Sequence, residues 1–345
     1  MLRKLLFPIL VFIFVSACQD EDRIQYDIIY RMEEAKAPME IEEMQRQYTI
    51  GIVPKVMEIP YFNVAKDGAM EAAQDLNVNI IYDGPPIADA EQQIHVIKEL
   101  IERKVDVIAV SANDPLKLIP VLTKAKQQGI RVITWDADTL PEAREMFVNM
   151  VDAETLGRHL LDTLAWTMGE KGEYAIMTGS RSAANLNEWI NWIQYQQEQF
   201  YPKLKLVDIV TTDDNPQKAF EVAQGLMEAH PNLKGIIGNS SVGPPAAAQA
   251  VREAGKSGDI KVVGLSTPNL MKAYLHNGSA QMATLWSPKK LGYLTVVLAK
   301  NMLEGHMPFD GQEIDNVGNI RVAGDVVIMG EPVDFTKENV DQYDF

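Results

Sequence analysis

From Tyr48 onward, short apolar runs alternate with longer stretches in which apolar residues recur every three or four positions. The short runs are typical of buried β-strands, and the longer stretches are typical of amphipathic helices. The predicted strands cover residues 48–53, 78–82, 106–111, 131–135, 146–150, 173–177, 204–210, 233–238, 260–265 and 280–286. Strands that alternate with helices predict an α/β fold with parallel sheets and right-handed crossovers.

The helical pattern is clearest over residues 88–105 and 291–304, where isoleucine and leucine residues line one face. Gly129, Gly255 and Gly305 each come just after a stretch with this helical spacing. Glycine is the residue most often found just past the end of a helix, because it adopts left-handed backbone angles without a steric penalty. These glycines therefore mark the ends of predicted helices.

The ten strands form two sets, one from about 48 to 150 and one from about 152 to 285, and a last strand pair is predicted near 320–322 and 326–329. A chain of 345 residues is long enough for two domains of average size. We therefore predict two doubly wound parallel-sheet lobes. Ligands of such sheets bind outside the carboxyl ends of the strands.

The stretch RVITWDADT (131–139) places Asp136 and Asp138 at the end of a predicted strand. Two carboxylates in this position are compatible with acid–base catalysis, with a metal site or with hydrogen-bond acceptors for a neutral ligand. The sequence contains no G-x-G-x-x-G motif, phosphate-binding loop or G-x-S-x-G nucleophile motif, and its five histidines are scattered. Catalysis therefore has no support beyond these two carboxylates.

Polar and aromatic residues follow several other predicted strands. Aromatic faces that pack on C–H groups, together with carboxylate and amide acceptors, suit a small polyhydroxylated molecule. The candidate ligand-binding residues are Lys55, Tyr61, Phe62, Asp136, Asp138, Asn185, Glu188, Asn239, Ser241, Ser266 and Trp286. Asn185 is also a residue type that caps helices, and Trp135 is expected to be structural support.

The composition argues against one class of protein, the nucleic-acid-binding proteins. The hydrophobic fraction of 46% and the charged fraction of 23% are those of a globular protein. The net charge of −16 argues against nucleic-acid binding, which requires clustered lysine and arginine.

The N-terminus has the pattern of an export signal. Arg3 and Lys4 precede the apolar stretch 5–15, which is too short to span a bilayer as a helix. Ser16, Ala17 and Cys18, the sole cysteine of the chain, follow it. This resembles a bacterial lipobox, so residues 1–17 are predicted to be a lipoprotein signal peptide and Cys18 the lipidated N-terminus. An ordinary secretory signal is the alternative. The charged segment 18–47 is expected to be an acidic tether.

Several stretches, in this order, resemble the type I periplasmic sugar-binding proteins of ABC importers, in the branch that binds rhamnose or autoinducer-2. They are YDGPP (82–86), VSANDP (110–115), VITWDADT (132–139), PPAAAQAVREAGK (244–256), VGLSTPN (263–269), TLWSPKKLGY (284–293) and FTKENVDQYDF (335–345). The resemblance implies two lobes joined by three hinge crossings, 48–151 plus 286–311 and 152–285 plus 312–345. It also implies a monomer, exported and facing the periplasm or cell exterior, that hands its ligand to a membrane permease without catalysis or cofactor.

The resemblance also narrows the ligand. Autoinducer-2 binders use a lysine and an aspartate that match Lys55 and Asp136, but they carry an Asp-Gln pair where this chain has Asn185 and Leu186. Their later Pro and Ala contacts fall on Asn239 and Ser241. Rhamnose or a related aldose or deoxyhexose is therefore the expected ligand, with autoinducer-2 as the alternative.

Three other classes of function remain as alternatives. They are a sensor that signals to a membrane kinase, a repressor of the same fold and a metal-dependent enzyme. The repressor would need an N-terminal DNA-binding domain where this chain has a signal peptide.

Overall fold

The computed structural model describes residues 47–345. The predicted signal peptide, Cys18 and all of the 18–47 tether except Gln47 lie outside the described residues. Within the described part of the chain, no helix combines the length and the apolar character needed to cross a bilayer.

The first lobe begins with five parallel strands and the helices that connect them. The strands are β1 (Thr49–Val53), β2 (Asn79–Tyr82), β3 (Val107–Val110), β4 (Arg131–Trp135) and β5 (Met146–Asn149). The helices are α1 (Pro60–Asp75), α2 (Ala90–Glu102) and α3 (Ile119–Gln127), with a short 3-10 turn at Pro141–Ala143. Strands β3 and β4 consist almost entirely of buried residues, as expected for a sheet that is covered on both faces.

The second lobe repeats this arrangement. Its strands are β6 (Gly172–Thr178), β7 (Leu204–Thr211), β8 (Leu233–Gly238), β9 (Lys261–Leu265) and β10 (Met282–Leu285). Its helices are α4 (Ala153–Met168), α5 (Ala184–Phe200), α6 (Pro216–Ala229), α7 (Gly243–Glu253) and α8 (Pro268–His276). Adjacent strands of this series pair in parallel in the order β10-β9-β8-β6-β7. The predicted α/β fold with two parallel sheets is therefore confirmed.

The chain then returns to the first lobe through α9 (Pro288–Leu303), which packs against α1. Two glycines allow this close packing. A Cβ atom on Gly292 would lie 1.9 Å from the carbonyl oxygen of Ala65, and a Cβ on Gly68 would lie 1.9 Å from that of Lys289. The two backbones therefore approach more closely than any side chain at these positions would permit.

The C-terminal strands are divided between the lobes. They are β11 (Glu313–Ile314) and β12 (Gly318–Asn319), which form a separate pair, then β13 (Arg321–Ala323), β14 (Val326–Ile328) and β15 (Val333–Phe335), and a 3-10 turn at Val340–Gln342 follows. The hairpin β13–β14 joins the first sheet, because β14 pairs in parallel with β5. Strand β15 instead pairs antiparallel with β10 of the second sheet.

This arrangement differs from the expected boundary, which assigned all of 312–345 to the second lobe. The physical reason is that β14 covers the open edge of β5 and buries Val327 completely. An apolar strand pair in a sequence does not indicate which of two sheet edges it will extend. The chain thus passes between the sheets three times, after β5, after β10 and after β14.

The predicted helix ends are also confirmed. Gly129, Gly255 and Gly305 follow α3, α7 and α9, and their φ angles are +81°, +69° and +80°. These angles lie in the left-handed region, where residues with a side chain are strained. The positions of helix ends were therefore predictable from single residues.

Candidate ligand-binding cleft

A cavity lies where residues from the two lobes meet. The first lobe contributes the loop after β1, the start of α1 and the residue after β4. The second lobe contributes the start of α5 and the loops after β7 and β8. The lining residues are Lys55, Ile59, Tyr61, Phe62, Asp136, Asn185, Leu186, Trp189, Asp214, Ser240, Ser241, Leu265, Leu285 and Trp286.

Asp136 is the centre of the first-lobe wall. It directly follows β4 with a φ of +61°, a left-handed conformation that aspartate tolerates better than most residues. Its carboxylate accepts hydrogen bonds from Ser111 Oγ at 2.5 Å and from Tyr61 OH at 3.0 Å. Lys55 Nζ lies 3.2 Å from Asp136 Oδ2. The carboxylate is therefore buried with three donors around it, which is how a buried charge is stabilised.

Lys55 links the two lobes. Its side chain is buried, and its Nζ donates to Asn185 Oδ1 at 3.2 Å, at the start of α5 in the second lobe. A second link across the cleft runs from Ser182 Oγ to the carbonyl oxygen of Asn113 at 2.8 Å. Both bonds require the lobes to be close together, so the structure represents a closed cleft.

Aromatic rings form much of the remaining wall. Trp286 Nε1 donates to Tyr61 OH at 3.0 Å, and the Trp286 ring lies 5.8 Å from that of Trp189. Phe62 packs edge-on against Tyr61. Burial, with a further contribution from the negative charge of Asp136, raises the pKa of Tyr61 well above its ordinary value. Tyr61 is therefore a neutral hydroxyl that donates to Asp136 and accepts from Trp286.

Asp214 is a cavity residue that the sequence-based reasoning missed. It lies after β7 in a loop where Asp213 and Asp214 have φ angles of +53° and +50°. Burial raises the pKa of Asp214, while the charge of Lys55 across the cavity acts in the opposite direction. The signal was present, because TTDDNP places two aspartates directly after a strand and before a helix cap. Leu186, Trp189 and Ser240 also line the cavity and were not among the candidates.

Comparison with known proteins identifies the protein family. Residues 50–307 match the family model of the periplasmic binding protein domain. The chain belongs to this family. A D-ribose/D-allose-binding protein of Pseudomonas aeruginosa is 25% identical over 270 residues, which cover 75% of this chain and 83% of that protein.

Two solved structures extend the comparison. LsrB from Clostridium saccharobutylicum in complex with AI-2 superimposes with a TM-score of 0.81 at 26% identity and covers 86% of this chain and 100% of that one. An ABC transporter solute-binding protein from Clostridium phytofermentas with bound L-rhamnose has the same TM-score at 29% identity and covers 86% of this chain and 98% of that one. The Pseudomonas aeruginosa and Clostridium phytofermentas proteins are named as binding proteins, and LsrB is described in complex with AI-2, in agreement with the expectation of binding without catalysis.

Within this periplasmic binding protein, seven of the eleven candidate residues line the cavity. They are Lys55, Tyr61, Phe62, Asp136, Asn185, Ser241 and Trp286. The structure thus brings together residues that are up to 231 positions apart in the sequence, from Lys55 to Trp286.

Four candidates lie outside the cavity lining. The carboxylate of Asp138 accepts from Arg144 Nη2 at 2.8 Å and from Thr139 N at 2.8 Å. Asn239 donates to the carbonyl oxygen of Leu186 at 3.0 Å, and Ser266 donates to that of Ser241 at 2.8 Å. Glu188 is exposed on α5. Asn239 and Ser266 therefore hold the backbone of cavity residues, whereas Asp138 stabilises the loop beside β4.

The same contacts bear on the metal-site alternative. The carboxylates of Asp136 and Asp138 face different cations, Lys55 and Arg144. Among residues 47–345, no group of three or more histidine, cysteine, aspartate or glutamate side chains is placed to hold a metal ion. The arrangement at the end of β4 is therefore suited to binding and to loop stability, because each carboxylate already has a cationic partner.

Proposed function

We propose that this protein captures a small neutral sugar between its two lobes and delivers it to an ABC importer, without catalysing a reaction. The observation that carries this proposal is the cavity that is lined by Asp136, Lys55 and Asn185 together with four aromatic rings. The relatives described above support it, because they are named for binding ribose or allose, AI-2 and L-rhamnose.

The chemistry of the wall suits hydroxyl groups. A hydroxyl both donates and accepts, so it can donate to the carboxylate of Asp136 and accept from the ammonium of Lys55. Hydrogen bonds to ionised groups are stronger than bonds between neutral groups. The faces of Trp189 and Trp286 offer apolar surface for the C–H groups of a sugar ring.

Closure of the cleft would allow a permease to distinguish the ligand-bound protein from the empty one. The contacts between Lys55 and Asn185 and between Ser182 and Asn113 exist only when the lobes meet. A ligand that touches both walls favours the closed form by the difference in its affinity for the two forms. A permease that recognises the closed arrangement would then dock the loaded protein preferentially.

The apolar part of the cavity favours a deoxyhexose, with L-rhamnose as the first choice. Leu186 occupies the position where autoinducer-2 binders carry an amide, and Ile59, Leu265 and Leu285 also line the cavity. A sugar methyl group fits such a surface, whereas a ligand that needs a hydrogen bond there loses it. Autoinducer-2 is the second candidate, because Lys55 and Asp136 match its binders and the LsrB structure superimposes well.

A ligand screen tests the proposed function. Thermal unfolding of the purified protein is measured with increasing L-rhamnose, D-ribose, D-allose, D-arabinose or autoinducer-2. We expect L-rhamnose to raise Tm most, and the shift to grow with ligand concentration, because binding to the folded state alone adds stability of RT ln(1 + [L]/Kd). D-Glucuronate serves as a charged control. The absence of any shift with all five ligands would refute sugar or autoinducer-2 binding.

We also propose that Cys18 carries a lipid that anchors the protein to a membrane, with the folded protein facing the periplasm or the cell exterior. The position of the sole cysteine after Ser16 and Ala17 supports this. We expect Cys18→Ser to abolish incorporation of labelled palmitate and to move the protein out of the membrane fraction, whereas Gln19→Ala should leave both unchanged. Equal membrane association of the Cys18→Ser variant and the wild type would contradict the anchor.

A further inference from the structure

The loop after β7 brings a second carboxylate to the cavity, on the wall opposite Asp136. Asp214 lines the cavity and also the wider opening of the cleft outside it, together with Ile59. Its residue exposure is 9%, so the carboxylate is largely removed from bulk water. Asp214 therefore lies between the inner site and this wider opening.

The charges in the cavity do not balance. The lining contains the carboxylates of Asp136 and Asp214 but a single ammonium, that of Lys55. Lys55 is 3.2 Å from Asp136 and also donates to Asn185. Among residues 47–345, no lysine, arginine or histidine forms an ion pair with Asp214. The Asp214 carboxylate is thus buried with no ion-pair partner of its own, which is an unfavourable arrangement unless a donor arrives.

The Ser240 hydroxyl also has unused hydrogen-bonding capacity. It is buried beside Asp214 and favours the ionised form of that carboxyl, yet among the described residues it makes no hydrogen bond of normal geometry. Buried polar groups in native proteins nearly always have partners. A buried hydroxyl without a hydrogen bond of normal geometry, beside a carboxylate without an ion pair, leaves bonding capacity at the cavity that a ligand can use.

We infer that Asp214 is a further ligand-binding and specificity-determining residue, which with Ser240 binds adjacent hydroxyl groups at the end of the sugar that points towards the cleft opening. This inference rests on the proposed function. An ionised carboxylate accepts bonds from two neighbouring hydroxyls and repels a sugar that carries a carboxylate or phosphate at that end. The wall therefore selects neutral sugars by attraction and excludes anionic ones by repulsion.

The pH dependence of sugar binding provides a second test of the role of Asp214. Burial raises its pKa, the charges of Asp136 and Asp213 act in the same direction, and Lys55 opposes them. The other charged residues at the cleft opening are Glu58, Asp89, Lys218 and Glu221. A ligand that donates hydrogen bonds to the ionised form lowers the pKa, so binding releases a proton and weakens as the pH falls through the raised pKa.

Calorimetric titration with the tightest-binding sugar of L-rhamnose, D-ribose, D-allose and D-arabinose tests the inference. We expect Asp214→Ala to weaken binding roughly 10- to 100-fold, the usual cost of losing a hydrogen bond to a charged group. Asp214→Asn, which tolerates the left-handed backbone, should lose the acid-dependent weakening of binding seen in the wild type. Asp213→Asn is the matched control, because Asp213 has the same backbone conformation but is exposed and pairs with Lys218.

The outcomes separate this inference from the proposed function. If the Asp214→Ala variant binds the sugar as tightly as the wild type at every pH, the proposed role of Asp214 is wrong and the proposed function stays intact. An equal loss in Asp213→Asn would assign the effect to loop conformation and would also overturn it. If the wild type binds none of these sugars, the proposed function fails and the inference fails with it.

Discussion

Asp136→Ala should reduce sugar affinity by roughly 100-fold or more, and this is the largest effect on binding that the structure predicts. The substitution removes the acceptor of three donors and leaves Lys55 buried without its carboxylate. Truncating one partner of a buried, hydrogen-bonded charge pair in a binding site costs about 2–5 kcal/mol of affinity, because the remaining charge is left uncompensated. Calorimetry on the wild type and the variant measures the loss, with circular dichroism to confirm that the variant is folded.

Two further variants sharpen this experiment. Asp136→Asn keeps the shape and the left-handed backbone but removes the charge, so it isolates the ionic contribution. Asp138→Asn lies two residues away and breaks the pair with Arg144, which lies outside the cavity. It should lower Tm while leaving affinity close to that of the wild type. Undiminished binding by Asp136→Ala, or an equal loss of affinity in Asp138→Asn, would contradict the assignment of Asp136 to the site.

Gly292→Ala should produce one of the largest losses of stability that a single added methyl group can cause in this protein. The added Cβ would lie 1.9 Å from the carbonyl oxygen of Ala65 and 3.1 Å from the amide nitrogen of Ala69, both backbone atoms of α1 that cannot rotate away. The helices α1 and α9 must therefore separate. Overpacking of this kind costs about 1–3 kcal/mol and occasionally more, and we expect the upper end of this range or beyond. Denaturant unfolding measures the change.

Gly225→Ala provides the matched control for this experiment. Gly225 also lies within a helix, α6, but a Cβ atom there meets no other atom within 4 Å. Alanine in an open helical position is expected to stabilise by about 0.5–1 kcal/mol, since it restricts the unfolded chain. Opposite signs for the two variants would establish close helix packing as the cause. A neutral Gly292→Ala would show that α1 and α9 are not held at this distance.

The alternation of apolar runs was sufficient to predict the fold class and both parallel sheets. Most of the parallel strands are short buried runs, with the edge strands β2 and β7 partly exposed, and helical patterns separate most of the runs, so local sequence carries the information. The hairpin β13–β14 shows what local sequence does not determine. Its strands were predicted, but the sheet that they join depends on the open edge of β5, and no local pattern encodes that contact.

The candidate site was partly predictable for the same reason. Asp136 and Trp286 directly follow strands, so their position at the carboxyl edge follows from the strand prediction. Asp138 also follows a strand, yet Arg144 turns it away from the cavity. Asn239 shows the same difficulty, since it bonds to the backbone of Leu186. Which strand-end residues face the ligand depends on side-chain partners from other elements, and spacing along the chain does not reveal them.

The division of the C-terminal strands between the lobes has a consequence for biosynthesis. The first sheet is completed by β13 and β14, and the second by β15, so each sheet receives its last strand from residues 321–335, after all of its other strands. Neither sheet can be completed until those residues have been synthesised and are free to pair. We therefore expect both lobes to complete their folding late and at nearly the same time.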